Sequence, residues 1–409
     1  MKVLIISQYF WPENFRINEV AKTLLDKGID VDVLTGKPNY PTGKIFPGFR
    51  SWGCQQQTWQ GVRITRIPIL TRGSGGWRLA LNYLSFIVSG LLFTPWILRK
   101  KKFDIIFVYG VSPIFQAIPA LLLGWLKKSP VILWVQDLWP ESLSATGYVK
   151  NGFVLDQVKK AVQFTYRHVD LLLVQSRAFE GPVSALSSET PILYFPNSVD
   201  DSFSAPASDL PVKIPGLGEG FSILFAGNIG SAQGVEVIVD AASLLSDYPD
   251  IRFVIVGDGS RREWMCDEVQ RRSLTNIHLP GRFPVAMMPA FMQRASALLV
   301  TLTDRPIFAA TVPNKIQAYM ASGKPIIASM NGEGARLVLE SNAGLSSPAE
   351  NSGALVEAIL RLYKMDSMER ETLGKNGRRY YQEHFNHDHL IDQLIDHFNS
   401  FSSPRLEAH

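Results

Sequence analysis

At 409 residues the chain is long for one domain and comfortable for two. Hydrophobic residues make up 46% and charged ones 19%, which supplies material for cores and excludes a disordered composition. The net charge of +4 is too small to argue for nucleic acid, and Cys54 and Cys266, in no metal or redox spacing, read as reduced thiols of a cytosolic protein.

Strand and helix signals alternate from the start. Val3-Leu-Ile-Ile6 after Lys2 is too short for a signal-peptide core and runs straight into Ser7 and Gln8, so it predicts a first strand. Ile17, Val20, Ala21, Leu24 and Leu25 share one face of a helix over 17–26, which Gly28 ends. Strands are predicted at 31–34 and on both sides of Gln60-Gly61, then, after a long apolar helix, at 104–109. A helix over 114–126 follows, with strands at 131–135 and 171–174 and a helix between them. Residues 198–220, rich in Ser, Asp, Pro and Gly, break the pattern and read as a linker. A second series then begins: strand 222–226, helix 235–245, strand 252–256 and strand 297–301. The fold class predicted is α/β, with two Rossmann-like doubly wound domains of parallel strands facing across a cleft. The boundaries are 1–197 for the first domain, 198–220 for the linker and 221–385 for the second domain. A C-terminal helix, 386–409, is expected to pack back on the first.

The stretch Thr311–Ser329 reads as a helix leading into a buried strand, with Pro313 at the first helical position and Gly323 at the C-terminal cap. Such a start leaves the amides of Asn314 and Lys315 without partners and puts a lysine in the first turn, which suits a phosphate; an ordinary amphipathic helix with an exposed lysine fits equally. Three post-strand loops are built for function. In the first, Glu13, Asn14 and Arg16 fall near a helix start and could hold an anion or a sugar, and no G-x-G-x-x-G favours a dinucleotide. In the second, Asp137, Trp139 and Glu141 follow an apolar strand; the alternative is that Asp137 caps a turn and Trp139 fills the core. In the third, Gly227-Asn-Ile-Gly-Ser-Ala-Gln-Gly234, glycines let amides approach a phosphate, and Gly257-Asp-Gly259 repeats the device. Asp30-Val-Asp32 looks like a metal-binding pair but lies at a strand opening. His384, His387 and His389 read as a polar helix face rather than metal ligands.

These motifs resemble glycosyltransferase family 4, the retaining GT-B enzymes. The resemblance rests on Pro12-Glu-Asn14, Asp137-Leu-Trp-Pro-Glu-Ser142, Phe195-Pro-Asn197, the Gly227 loop, Val256-Gly-Asp-Gly259, Val312-Pro-Asn-Lys315 and Gly332-Glu333. Within the family it is similar to the bacterial surface-polysaccharide subgroup that includes L-fucosamine (N-acetyl-L-fucosamine) transferases of O-antigen assembly. The resemblance implies a nucleoside-diphosphate sugar donor, UDP-linked, held by the second domain, and a polyprenyl-diphosphate-linked saccharide acceptor on the first. It also implies retention of configuration and no metal or other cofactor. The chain departs from the family pattern where Ala310 and Ala318 replace two glutamates, and Asn228 and Gln233 replace an arginine and a lysine. The donor phosphates must then be met by Lys315, by Arg16 across the cleft and by amides near Gly230 and Asn314. Gly257, Gln317 and a hydroxyl-binding Glu333 complete the donor set. Asp137, Lys315 and Glu13 are the candidate catalytic groups, and Asn14, Trp139 and Glu141 the acceptor set. A nucleotide-sugar epimerase of the same architecture and a non-catalytic sugar-binding protein remain alternatives.

Residues 79–98 carry no charge and could span a bilayer by length, yet a span would divide the first domain between compartments. The expectation is instead a peripheral location on the inner leaflet of the cytoplasmic membrane, with Trp77, Trp96, Arg99, Lys100, Lys101 and Lys102 at the surface.

Overall fold

The computed structural model describes the chain apart from residues 74, 146–150, 200, 205–211 and 403–409. Two compact units form, Met1–Pro196 with Asp388–His409, and Asn197–His387.

The first unit runs β1 (Lys2–Ile6), α1 (Ile17–Asp26), β2 (Asp30–Thr35), β3 (Gln55–Trp59), β4 (Val62–Arg66) and α2 (Gly76–Ile97). It continues through β5 (Ile105–Gly110), α3 (Ala117–Lys127), β6 (Val131–Val135), α4 (Glu141–Ala145), α5 (Gly152–His168), β7 (Leu171–Val174), α6 (Glu180–Ser187) and β8 (Ile192–Tyr194). Strand order is β3-β4-β2-β1-β5-β6-β7-β8. The predicted all-parallel sheet needs one correction: β3 is antiparallel to β4. Gln60 and Gly61, both at positive φ, close that pair as a two-residue hairpin, the left-handed backbone such turns require. The central strands β5, β6 and β7, and β1 after Lys2, are apolar runs because helices cover both faces.

The second unit runs β9 (Phe221–Asn228), α7 (Glu236–Leu244), β10 (Ile251–Asp258), α8 (Arg262–Arg271), β11 (Ile277–Gly281), α9 (Met288–Arg294) and β12 (Ala297–Thr301). Then come α10 (Pro306–Ala310), α11 (Asn314–Ser322), β13 (Ile326–Ser329), α12 (Glu333–Glu340), β14 (Gly344–Ser347), α13 (Ser352–Lys364) and α14 (Ser367–His384). Its order, β11-β10-β9-β12-β13-β14, is entirely parallel. Of the 198–220 stretch, Val199, Ile214 and Leu217 are buried in this unit's core, while 200 and 205–211 lie outside the described residues. The last helix, α15 (His387–Ser402), packs Leu390, Ile391, Leu394 and Phe398 into the core of the first unit.

Among the parallel strands of each sheet the strand order reverses once, between β1 and β5 and between β9 and β12. The carboxyl ends of those strands frame the crevice where open α/β sheets bind ligands.

Candidate functional site

In the second unit the crevice is built around Lys315. Its side chain lies over β9, with Nζ 3.6 Å from the centre of the Phe225 ring. Phe225 and Gly227 point to the same face of β9, since strand side chains alternate. A Cβ on Gly227 would sit 2.6 Å from Lys315 Cε, so the glycine, at φ +138°, is what gives the lysine room. One turn further along α11, Tyr319 fixes the helix: its hydroxyl accepts from the Ala226 amide at 3.2 Å and donates to the Leu299 carbonyl at 3.3 Å. Nζ is buried and has no hydrogen-bond partner among the described residues. Burial lowers its pKa to about 7. A buried cation held without an anion is costly, and an arriving anionic group would relieve that cost.

The start of α11 differs by one residue from the expectation. Pro313 is the cap residue, in extended conformation, and Asn314 is the first helical position. A proline has no side-chain acceptor, so the amides of Asn314 and Lys315 receive no cap and the anion-binding logic stands. Asn314 is exposed there, whereas Gln317 is fully buried with both carboxamide atoms unpartnered among the described residues.

The Gly227–Gly234 loop is held from within. Gln233 Oε1 accepts from the Gly230 amide at 3.1 Å and from Asn228 Nδ2 at 3.3 Å. Two expectations are corrected by this: the Gly230 amide is already used, and the Gln233 carboxamide oxygen braces the loop instead of facing a donor. Gly257 is required for another reason, because a Cβ there would strike the Gly227 carbonyl oxygen of the neighbouring strand. Glu333 is oriented by Arg336, which donates to its two oxygens at 2.7 and 2.9 Å and leaves each oxygen a second lone pair.

In the first unit Asp137 follows β6 and is held by Ser112, after β5, whose amide and hydroxyl both donate to Oδ2, at 3.0 and 2.8 Å. Burial raises its pKa and the two Ser112 bonds pull it back. Trp139 donates its indole N–H to Ser112 Oγ at 3.1 Å and is enclosed by Tyr83 and Phe115. It therefore buttresses Ser112 and presents no sugar platform, which corrects its acceptor role. Arg16 lies 3.8 Å from Glu19, and both act electrostatically on buried Tyr109 together with Asp137. Asn14 and Glu141 are exposed at their loop and helix starts.

Glu13 is corrected outright. It is 2% exposed, and its carboxylate accepts from the amides of Asn39 at 2.8 Å, Tyr40 at 2.7 Å and Phe10 at 3.4 Å. It anchors two loops from a buried position, with Oε1 taking two amide bonds and Oε2 one. At the proposed membrane surface Trp77, Trp96, Arg99, Lys100 and Lys102 are exposed, with Arg99 stacked 4.0 Å over Trp96. Lys101 is not among them, since it pairs with Asp32 at 2.7 Å. The histidines do not gather: His387 bonds Ser198, His389 bonds Gln393, and the His384 ring packs at a tilt against Tyr380.

Both halves of the chain match known families: "Glycosyl transferase 4-like domain" over residues 14–198 and "Glycosyl transferases group 1" over residues 220–365. The chain belongs to the glycosyltransferases. Among relatives of this transferase, the probable glycosyltransferase WbjE of Pseudomonas aeruginosa is 26% identical, covering 81% of this chain and 80% of its own. The putative colanic acid biosynthesis glycosyl transferase WcaI of Escherichia coli is 25% identical, covering 79% and 82%. Among solved structures, a sucrose-phosphate synthase of Thermosynechococcus elongatus superimposes with a TM-score of 0.75 at 18% identity, over 98% of both chains. HepE of Anabaena, solved with UDP, gives 0.72 at 14% identity over 98% of this chain and 100% of that one. These likenesses establish the GT-B fold.

Three groups of the transferase carry no mark in the sequence. Ser112 had no motif to mark it, and the ring of Phe225 looked like ordinary strand core. Arg261 was also passed over; it pairs with Glu236, stacks 4.3 Å from Trp264 and donates its amide to the Ile229 carbonyl of the glycine loop.

Proposed function

We propose that this glycosyltransferase moves a sugar from a nucleoside-diphosphate sugar to a polyprenyl-diphosphate-linked saccharide during assembly of a bacterial surface polysaccharide. The second unit holds the donor and the first holds the acceptor. The observation that carries the reading is the unpartnered ammonium of Lys315 beside a glycine loop at the strand-order reversal. UDP as the nucleotide is supported by HepE, and O-antigen or colanic-acid-type products by WcaI and by an O-antigen chain mannosyltransferase C of E. coli. N-acetyl-L-fucosamine is the sugar we would test first, on the motif resemblance.

In this scheme the anomeric C–O bond to the diphosphate breaks as an acceptor hydroxyl oxygen bonds the anomeric carbon with retention of configuration, and the hydroxyl proton passes to the departing diphosphate oxygen. Lys315 and the first amides of α11 stabilise the departing diphosphate, the electrostatic contribution that usually dominates such catalysis. Because these groups meet the phosphate charge, no divalent metal is required. Asp137, aimed by Ser112, orients the acceptor hydroxyl. The enzyme works peripherally at the inner leaflet. The test is release of nucleoside diphosphate from a panel of UDP-sugars in the presence of lipid-linked acceptor. Release that requires acceptor supports transfer; no release from any nucleotide sugar overturns it.

A further inference from the structure

Helix α2 is apolar nearly all round, yet it is not a core helix. Asn82, Phe86, Gly90 and Thr94, four residues apart, are its buried stripe. Leu84, Val88, Leu92 and Trp96 form a second stripe, displaced by two residues and so by about 200°, on the opposite side of the helix. That stripe faces solvent: Leu84 is 53% exposed, Leu92 68% and Trp96 68%. Because α2 connects β4 and β5 of one sheet, it cannot cross a bilayer while the sheet stays whole.

A second helix extends the face. A Cβ on Gly90 would meet Pro119 at 2.6 Å, and Lys127 Nζ donates to the carbonyls of Leu98 and Arg99 at 2.7 and 3.0 Å. Both contacts join residues about 29 apart, so α2 and α3 run parallel and in step. Trp125, 77% exposed, therefore stands level with Trp96. Charge names the occupant. Residues 33–136 contain thirteen basic residues and one acidic, Asp104, in a chain of 41 basic and 37 acidic residues. Several of these cations are used internally, but Arg78, Arg99, Lys100, Lys102 and Lys128 are exposed around the ends of the two helices. An apolar face framed by tryptophan and cations fits an anionic leaflet.

The buried side of the same helix supports the acceptor site. Asn82 Oδ1 accepts from Gln8, after β1, at 2.7 Å. Tyr83 packs edge-on against Trp139, which holds Ser112 on Asp137. We propose that α2 is a wall shared between membrane and acceptor site, its outer stripe lying in an anionic leaflet and its inner side, through Tyr83 on Trp139 and Asn82 on Gln8, bracing the residues around Asp137. The reacting hydroxyl then stays within about one helix thickness, ~10 Å, of the headgroups. The acceptor class is a lipid-linked saccharide with a short head, not a long chain extended into solution. This rests on the transferase reading above.

The test is the double variant Leu84→Gln/Leu92→Gln, whose positions are exposed and outside the site. Binding is read by sedimentation with phosphatidylethanolamine vesicles containing about a quarter phosphatidylglycerol. Activity is read as nucleoside-diphosphate release, with membrane lipid-linked saccharides supplied either in those vesicles or dispersed in detergent. The expected result is at least tenfold weaker vesicle binding, a similar loss of activity in vesicles and unchanged activity in detergent. Wild-type vesicle binding by the variant overturns the proposal, as does equal loss of activity in both presentations. A wild-type protein that ignores vesicles but forms a dimer broken by the double substitution makes the face a protein interface and also overturns it. If the wild type releases no nucleoside diphosphate in either presentation, the transferase reading fails, while sedimentation still decides the docking face.

Discussion

Lys315 and Phe225 are joined by a contact that needs a third residue to be empty: the ammonium reaches the ring, 3.6 Å from its centre, only because Gly227 carries no side chain. The arrangement holds an amine in an apolar place with no counter-ion among the described residues. Such a site is expensive until an anion arrives.

Replacing Lys315 should therefore separate stability from function. Lys315→Met is expected to raise the melting temperature of the ligand-free protein, by about 1–2 kcal/mol of stability, because a buried amine is exchanged for an apolar chain. The same variant should lose about a hundredfold or more in turnover. Thermal denaturation and nucleoside-diphosphate release check both halves. A variant that is less stable and fully active contradicts the assignment.

The pH dependence follows from the same group. Lys315 titrates near 7 when folded, against 10.5 for an unperturbed lysine, so between these values the folded chain holds fewer protons than the unfolded one. Its destabilising effect is complete below about pH 7 and is relieved as pH rises towards 10.5. Donor binding has the opposite sense, because it needs the charged amine: affinity should fall, and proton uptake on binding should grow, as pH rises through 7. Calorimetry in buffers of different ionisation enthalpy measures that uptake. Lys315→Met should show none of it.

Gly227→Ala tests the vacancy. The added Cβ would lie 2.6 Å from Lys315 Cε and 3.0 Å from Nζ, at a φ that disfavours side chains. The lysine must move, and donor affinity is expected to fall about tenfold, with a stability cost of about 1 kcal/mol. Unchanged affinity would show that the lysine position does not matter to the donor.

For the acceptor side, Asp137→Asn should lower transfer by about a hundredfold with donor affinity unchanged, since the donor is assigned to the other unit. Ser112→Ala is the finer probe. Its two bonds hold the Asp137 pKa down against burial, so losing the hydroxyl should move the acid limb of the pH–rate profile to higher pH. A profile that does not move would remove Ser112 from this role. Glu13→Ala, by contrast, should cost about 3 kcal/mol of stability by orphaning buried amides, with donor binding intact.

Much of the fold was legible because a buried parallel strand leaves a plain record. Val131–Val135, Leu171–Val174 and Ala297–Thr301 are strands with the very bounds their apolar runs suggest, and Ile17–Asp26 is a helix as its periodicity indicates. Short or polar edge strands left no such record: Ile192–Tyr194, Ile277–Gly281 and Gly344–Ser347 are set by their neighbours in the sheet. The site was harder to read for a related reason. Loop composition pointed to Lys315 and Asp137, but it cannot say which polar groups are already satisfied. Glu13, Glu333, Gln233 and Lys101 all looked available. Each is bound to a partner elsewhere in the chain or in its own loop: three backbone amides, Arg336, Gly230 and Asp32. Phe225 and Ser112 gain meaning only from what lies above them.

The most direct measurement of the central claim is calorimetric titration of the protein with UDP and with UMP, repeated on Lys315→Met. If Lys315 holds the diphosphate of the donor, UDP should bind the wild type at least tenfold more tightly than UMP, a difference of about 1.4 kcal/mol, and the variant should bind the two alike. Wild-type protein that binds neither nucleotide, or a variant that keeps the full preference for UDP, would contradict the account.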